Sequence, residues 1–174
     1  LIESEPGMAV AELFRKFDDE AVAAASIAQV HHAELADGRR VAVKLLRPGI
    51  RRQMQSDTTL FYALARLLEW LAPNMQRLKL VAAVDQFTQI SEMELDLRLE
   101  AAAAGKLADN MAGDAGIHVP WVDLEHTTSS MLVIEWVEGI SIDDVEALTD
   151  AGHDIVAITE AAARSFFNQV FRDG

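Results

Sequence analysis

Lys44 closes the tetrapeptide Val41-Ala42-Val43-Lys44, and a run of carboxylates, Glu92, Glu94, Asp96 and Glu100, follows further along the chain. A lysine on a strand can hold its ammonium over a cleft if a carboxylate keeps it charged and in place, and an ammonium so held addresses phosphate oxygens. The same tetrapeptide also suits an edge strand whose lysine lies along the surface with its head in water. The tetrapeptide by itself leaves both readings open.

Those residues need a strand and a helix to position them. Ser26 to Leu35 and Arg40 to Leu46 read as two antiparallel strands, separated by Asp37-Gly38, a pair suited to the positive backbone angles of a hairpin. Because side chains alternate along a strand, Val41 and Val43 share one face while Ala42 and Lys44 share the other. The carboxylates fall in a helix expected from Leu80 to Met111, with Ile90, Met93, Leu97, Ala101 and Ala104 as its buried stripe. On one regular helix, Glu94 lies about 60° to one side of that stripe and Glu100 about 60° to the other. Asp96 lies about 40° beyond Glu100. A position at the edge of a buried face makes Glu100 the better partner for Lys44. The competing reading is a solvated stripe of Glu92, Asp96 and Glu100, whose like charges repel by a few tenths of a kcal/mol per pair.

Ala23-Ala24-Ala25-Ser26 stands at the start of the first strand, where protein kinases carry a glycine-rich phosphate loop. Alanine keeps the side chain short but gives up glycine's left-handed conformations, so the loop is stiffer and its amides less freely aimed. Nucleotide binding follows more securely than fast phosphoryl transfer. The Ser26 hydroxyl suits either a phosphate oxygen or a local turn bond.

The whole pattern, AAASIAQVH, then DGRRVAVKLLRPGI, then ELDLRLEA, resembles the UbiB family of atypical kinase-like proteins, associated with ubiquinone biosynthesis. The resemblance runs from Ile2 to Gly174. It implies an α+β, protein-kinase-like fold: an antiparallel-sheet small lobe with helical insertions, plus the first helices of the large lobe. Residues 1–134 would form the small lobe with an insertion over 49–72, residues 135–140 the hinge, and residues 141–174 the start of the large lobe. The family also implies ATP or ADP with magnesium, whose ligands and catalytic loop are expected downstream, so the fragment alone is expected to be inactive. Lys44 and Glu100 become the catalytic pair. Val22, Ala23, Ala24, Ala25, Ser26, Ile27, Ala28, Gln29 and Val30 become the nucleotide loop, joined by Lys44 and by Glu135 and Val137 at the hinge. Trp136 is a further hinge candidate, and Met131 is expected near the back of the pocket. Glu94 and Asp96 match the family's Glu-x-Asp motif and take a regulatory role against an upstream segment. Implied partners are the nucleotide, lipid ubiquinone precursors and ubiquinone-biosynthesis proteins. The implied location is cytoplasmic, or peripheral at the inner membrane. Two other functions compete: a non-catalytic pseudokinase scaffold, and a small-molecule phosphotransferase, against which the alanine loop and Glu-x-Asp motif speak.

Composition narrows the classes. The chain has 174 residues, 51% of them apolar, with no cysteine and a formal charge of −13. It can bury a core, makes no disulfide, and is too acidic for a nucleic-acid surface. No apolar run approaches the ~20 residues of a membrane span. A basic window, Arg39, Arg40, Lys44, Arg47, Arg51 and Arg52, reads either as solvated surface or as positive potential near a phosphate-bearing ligand.

The remaining elements follow from periodicity. Val10, Leu13, Phe14 and Phe17 suit a short amphipathic helix over 9–17. Ile50 to Leu71 reads as a helix with Leu60, Ala63, Leu64, Leu67, Leu68 and Leu71 packed inward, a partner surface being the other reading. Strands are expected from His118 to Leu124 and from Met131 to Val137, and a helix from Asp154 to Phe171 with Ile155, Ile158, Ala162, Phe166 and Val170 on one face. His31 and His32 are adjacent on a strand and cannot share a metal without a bulge; His118, His126 and His153 are isolated, so no metal site is expected.

Overall fold

The computed structural model describes residues 13–114 and 116–173. Four strands, β1 (Phe14–Ala24), β2 (Ala28–Leu35), β3 (Arg40–Leu46) and β4 (Met131–Glu135), make one sheet in the order β1-β2-β3-β4, every neighbouring pair antiparallel. The helices are α1 (Ile50–Leu71), α2 (Leu80–Glu94), α3 (Leu97–Met111), α4 (Val145–Asp150) and α5 (Ile155–Phe171), with a 3-10 turn over Pro73–Leu78.

Alternation along β3 divides the core into two layers. Val41, Val43 and Leu45 pack with Ala33, Leu35, Met131, Val133, Leu13 and Phe14 on one face. Leu46 packs on the other with Ala28, Leu132, Leu95, Leu97 and Ala101, so α3 covers the face that carries Lys44. Each buried aliphatic side chain contributes roughly 1.5–3 kcal/mol, which fixes the strand register. In the β2–β3 turn only Gly38 takes a positive φ, 89°, and Leu35 N–H donates to Arg39 O across it at 2.9 Å.

The first segment departs from expectation. Phe14 to Phe17 lie in β1, while residues 9–12 of the expected helix lie outside the described residues. Phe14 pairs with Leu35 and Phe17 with Ala33, partners two apart, and a register shift between Phe14 and Lys16 supplies the extra residue. A bulge thus puts two phenylalanines three apart on one strand face, the spacing that otherwise marks a helix. The expected strand over 118–124 reduces to a single bridge, Val122 to Ile134. Pro120 removes a ladder donor there.

The expected single helix over 80–111 is two helices. Asp96 takes an extended conformation, φ −110° and ψ 95°, and its side chain accepts a bond from Arg98 N–H, which makes it the N-cap of α3. Aspartate is among the residues best suited to that position. The stripe breaks with it: Leu97 and Ala101 are buried, while Ile90 and Met93 are 51% and 61% exposed. The apolar face read on α1 is likewise open, with Leu60, Leu64, Leu67 and Leu71 all exposed. On α5 no residue is buried, and Phe166 and Val170 face outward. That helix is held at its C-terminal end, where Arg172 Nη1 lies 3.0 Å from Asp114 Oδ1 and Asn168 Nδ2 donates to Asp114 Oδ2 at 3.2 Å.

Leu97, 1% exposed, is the pivot of the layer beneath Lys44. Leu97→Ala is expected to lower unfolding free energy by about 2–4 kcal/mol, and Met93→Ala by less than ~0.5 kcal/mol, as read by urea unfolding.

Candidate functional site

Lys44 stands near the end of β3, and Glu100 lies in the first turn of α3. Lys44 Nζ donates to both carboxylate oxygens of Glu100, at 2.9 Å and 2.7 Å. The two side chains remain 30% and 48% exposed. An ion pair that open contributes only ~0.2–1 kcal/mol to folding. Its consequence is positional: a strand cation and a helix anion meet where solvent reaches both.

The sheet register defines what surrounds the pair. Val30 on β2 and Leu132 on β4 stand directly opposite Lys44, Ala28 is opposite Leu46, and Ala42 is flanked by His32 and Ile134. Residues opposite one another share a face, so Ala28, Val30, His32, Ala42, Leu132 and Ile134 line the Lys44 side. Gln29 is opposite Leu45 and therefore lies on the other face, as does Met131. The residue behind Lys44 is Leu132 rather than Met131. The Trp136 ring meets His32 edge-on at 4.7 Å, and His32 Nδ1 lies 2.9 Å from Asp18 Oδ2. That bond, with a smaller effect from Lys16, holds the Asp18 carboxyl below its ordinary range.

The alanine segment turns from β1 into β2. Ala23 pairs with Val30 and Ala24 with Gln29, while exposed Val22 falls in a register shift between Ala21 and Ala23. Ala25 N–H donates to Ala28 O at 2.9 Å, Arg47 N–H to Ile27 O at 2.8 Å, and Arg47 Nε to Ala25 O at 3.0 Å. The amides of Ser26 and Ile27 and the Ser26 hydroxyl have no partner among the described residues. Two N–H groups and one hydroxyl therefore remain for an anion at the turn.

At the end of β4, Glu135 faces away from Lys44. Its Oε2 accepts from Trp121 N–H at 3.2 Å and lies 2.7 Å from His118 Nε2, and its own N–H donates to Trp121 O. Trp136 N–H donates to Arg40 O at 3.2 Å. Of the three hinge candidates, Val137 has an N–H without a partner among the described residues.

Most of the basic window has structural partners. Arg39 pairs with Asp37 and lies 4.7 Å over the Trp121 ring, Arg40 pairs with Glu138, and Arg51 donates to the carbonyls of Leu95 and Ser129. Among the described residues, only Lys44 of this group pairs with an acid within α3.

The family model of the ABC1 atypical kinase-like domain matches residues 1–174 of this chain. The chain belongs to that family. Relatives named "Probable protein kinase UbiB" from Marinobacter nauticus and Azotobacter vinelandii are 42% and 39% identical over 173 residues, 99% of this chain and 32% of each relative. The chain thus spans about a third of their length. A solved structure titled "The complex structure of Rv3197-erythromycin from Mycobacterium tuberculosis" matches with TM-score 0.68 and 33% identity, covering 82% of this chain and 35% of that one. The α+β, kinase-like fold and the UbiB resemblance read from the motifs are both shown by these matches.

In this ABC1-family chain the Glu-x-Asp motif sits on the joint between α2 and α3. Glu94 ends α2 and is exposed; Asp96 caps α3 and accepts from Arg98 Nη2 at 2.6 Å. The Arg98 side-chain bond is the main cause that holds Asp96 down to about 2. Sequence reasoning missed three participants: Leu132, the His32–Trp136 contact and Arg51. Leu132 needed the β3–β4 register, and His32 needed the face of β2 that the register assigns. Arg51 carried no signal beyond its charge.

Asp96→Ala is expected to lower Tm by about 2–4 °C at neutral pH. A carboxyl whose folded pKa is depressed stabilises fully above its unfolded value of ~3.9 and loses that contribution as pH falls through the folded value. The gap in Tm between wild type and Asp96→Ala should therefore narrow between about pH 4 and pH 2, as scanning calorimetry would read.

Proposed function

We propose that this chain is the ATP- or ADP-binding part of an atypical kinase or ATPase with a role in ubiquinone biosynthesis. One observation carries the reading: an ammonium fixed by a sheet and held by both oxygens of Glu100, at 2.9 Å and 2.7 Å, beside the apolar layer of Ala28, Leu46 and Leu132. With two of its three N–H donors on Glu100, Lys44 keeps one for a phosphate oxygen. The free amides of Ser26 and Ile27 supply neutral donors at the neighbouring turn, and the partly buried Val30 and Ile134 offer an apolar surface for a base. Val137 supplies a backbone donor at its edge. The names of the relatives support the kinase reading, the pathway rests on the resemblance of the motifs, and the relatives are about three times as long.

In this reading residues 1–134 are the small lobe with its insertion over 49–72, residues 135–140 the hinge, and residues 141–174 the start of the large lobe. The Arg40–Glu138 pair and the bond from Trp136 N–H to Arg40 O support the hinge, since both tie its strand to the start of β3. Among the described residues no three His, Asp or Glu side chains gather as metal ligands, so no step is assigned through magnesium, whose ligands the reading expects further along the protein. No helix among the described residues is long and apolar enough to cross a membrane. Contact with lipid precursors, with ubiquinone-biosynthesis proteins and with the inner-membrane surface belongs to the same proposal.

The test is a thermal-shift titration of the full-length protein with Mg-ATP and Mg-ADP. A ligand at about 100 Kd stabilises its protein by about 2.7 kcal/mol, a shift of several degrees. Wild type is expected to show that shift and Lys44→Ala to lose most of it. An equal shift in both would remove the assigned site. ATP turnover by the full-length protein would distinguish the enzyme from a scaffold that binds nucleotide without reaction.

A further inference from the structure

Lys44 is fixed by the sheet, so its distance to Glu100 depends on where α3 begins. That start is a joint of three segments. Leu97 N–H donates to Ser129 O at 3.1 Å, which ties the first residue of α3 to the loop leading into β4. Leu95 N–H closes α2 on Ser91 O. The Leu95 carbonyl lies among the last carbonyls of α2, which have no further helical turn to donate to them. Arg51, in the first turn of α1, supplies that donor.

Its Nη2 bonds Leu95 O, and also Ser129 O at 3.1 Å. One guanidinium therefore joins α1, the end of α2 and the loop that receives Leu97. A cation at this point also complements the negative end of the α2 dipole. Its charge reaches the neighbouring cap as well, since Arg51 is among the causes that lower Asp96. Arg52, the next residue, has no partner among the described residues. The two arginines differ in placement and not in type.

We propose that Arg51 is a positioning residue for the Lys44–Glu100 pair: it pins the α2–α3 joint, and through that joint sets the first turn of α3 so that Glu100 reaches Lys44. The helical insertion is thereby wired to the cleft. An insertion that merely decorated the sheet would leave the pair indifferent to a change at its first turn. The inference deepens the nucleotide-site reading and rests on it for its meaning, while its test is read without nucleotide.

The test is trace acetylation of the folded full-length protein, with the labelling rate of Lys44 followed by mass spectrometry and circular dichroism confirming the fold of each variant. Glu100→Gln releases the ammonium and should raise Lys44 labelling about two- to five-fold, the range for loss of an exposed ion pair. Arg51→Ala should raise it to a similar level, and Arg52→Ala should leave it at the wild-type rate. The double variant Arg51→Ala/Glu100→Gln should label no faster than Glu100→Gln alone, because both act on one contact. Should Arg51→Ala not fold, Arg51→Gln, which keeps a neutral donor but not the charge, takes its place in the same comparison. A wild-type Lys44 rate in the Arg51 variant, or additive rates in the double variant, overturns the proposal. A full-length protein that shows no Mg-ATP shift, yet gives the expected labelling pattern, would remove the nucleotide reading and leave the positioning role standing.

Discussion

A lysine in the middle of a paired sheet has little freedom to seek a partner. The Lys44 backbone is fixed by strands on both sides, and its side chain can only reach outward from one face. The partner must be brought to it, and everything on that side of the sheet does so. Leu97 and Ala101 lock α3 onto Leu46, Ala28 and Leu132, Asp96 caps its first turn, and Glu100 is carried within reach. Since an exposed ion pair adds little to folding, the packing sets the pair and the pair does not set the packing. The opposite layer, around Val41, Val43 and Val133, holds the strands in register and lies on the face away from the pair.

Much of this was legible in the sequence where one local rule decides. The bounds of β3 and α1 follow from alternation and from helical spacing, and the division of β3 into a valine face and a lysine face follows from the pleat. Glu100 was the better partner for Lys44 on an argument that assumed one helix, and the structure brings the two together on a different backbone. The break at Leu95 and Asp96 was hidden because aspartate is unremarkable inside a helix and informative only as a cap. Met131 and Gln29 illustrate a second limit: which residues share a face with Lys44 is a matter of pairing register, and register belongs to two strands at once. For β1, Phe14 and Phe17 gave helical spacing through a bulge, a case where two local signals coincide.

The apolar stripes on α1 and α5 teach a different lesson. Periodicity identifies a face that avoids water in some context, and it says nothing of what covers that face. Leu64 and Phe166 stand open among the described residues, whereas the same reasoning applied to Leu97 found a buried contact. The difference lies in the sheet, which covers Leu97 and does not reach Leu64 or Phe166 among the described residues.

The character of β1 has one more consequence. It forms one side of the sheet, its pairing with β2 is interrupted by three register shifts, and it carries Arg15, Lys16, Asp18, Asp19 and Glu20. An incoming strand from another molecule would find neither a regular ladder nor a neutral row of side chains to dock on. Growth of the sheet by stacking copies edge to edge is thereby discouraged along this border, and a polypeptide with half its residues apolar is protected there from self-templated aggregation.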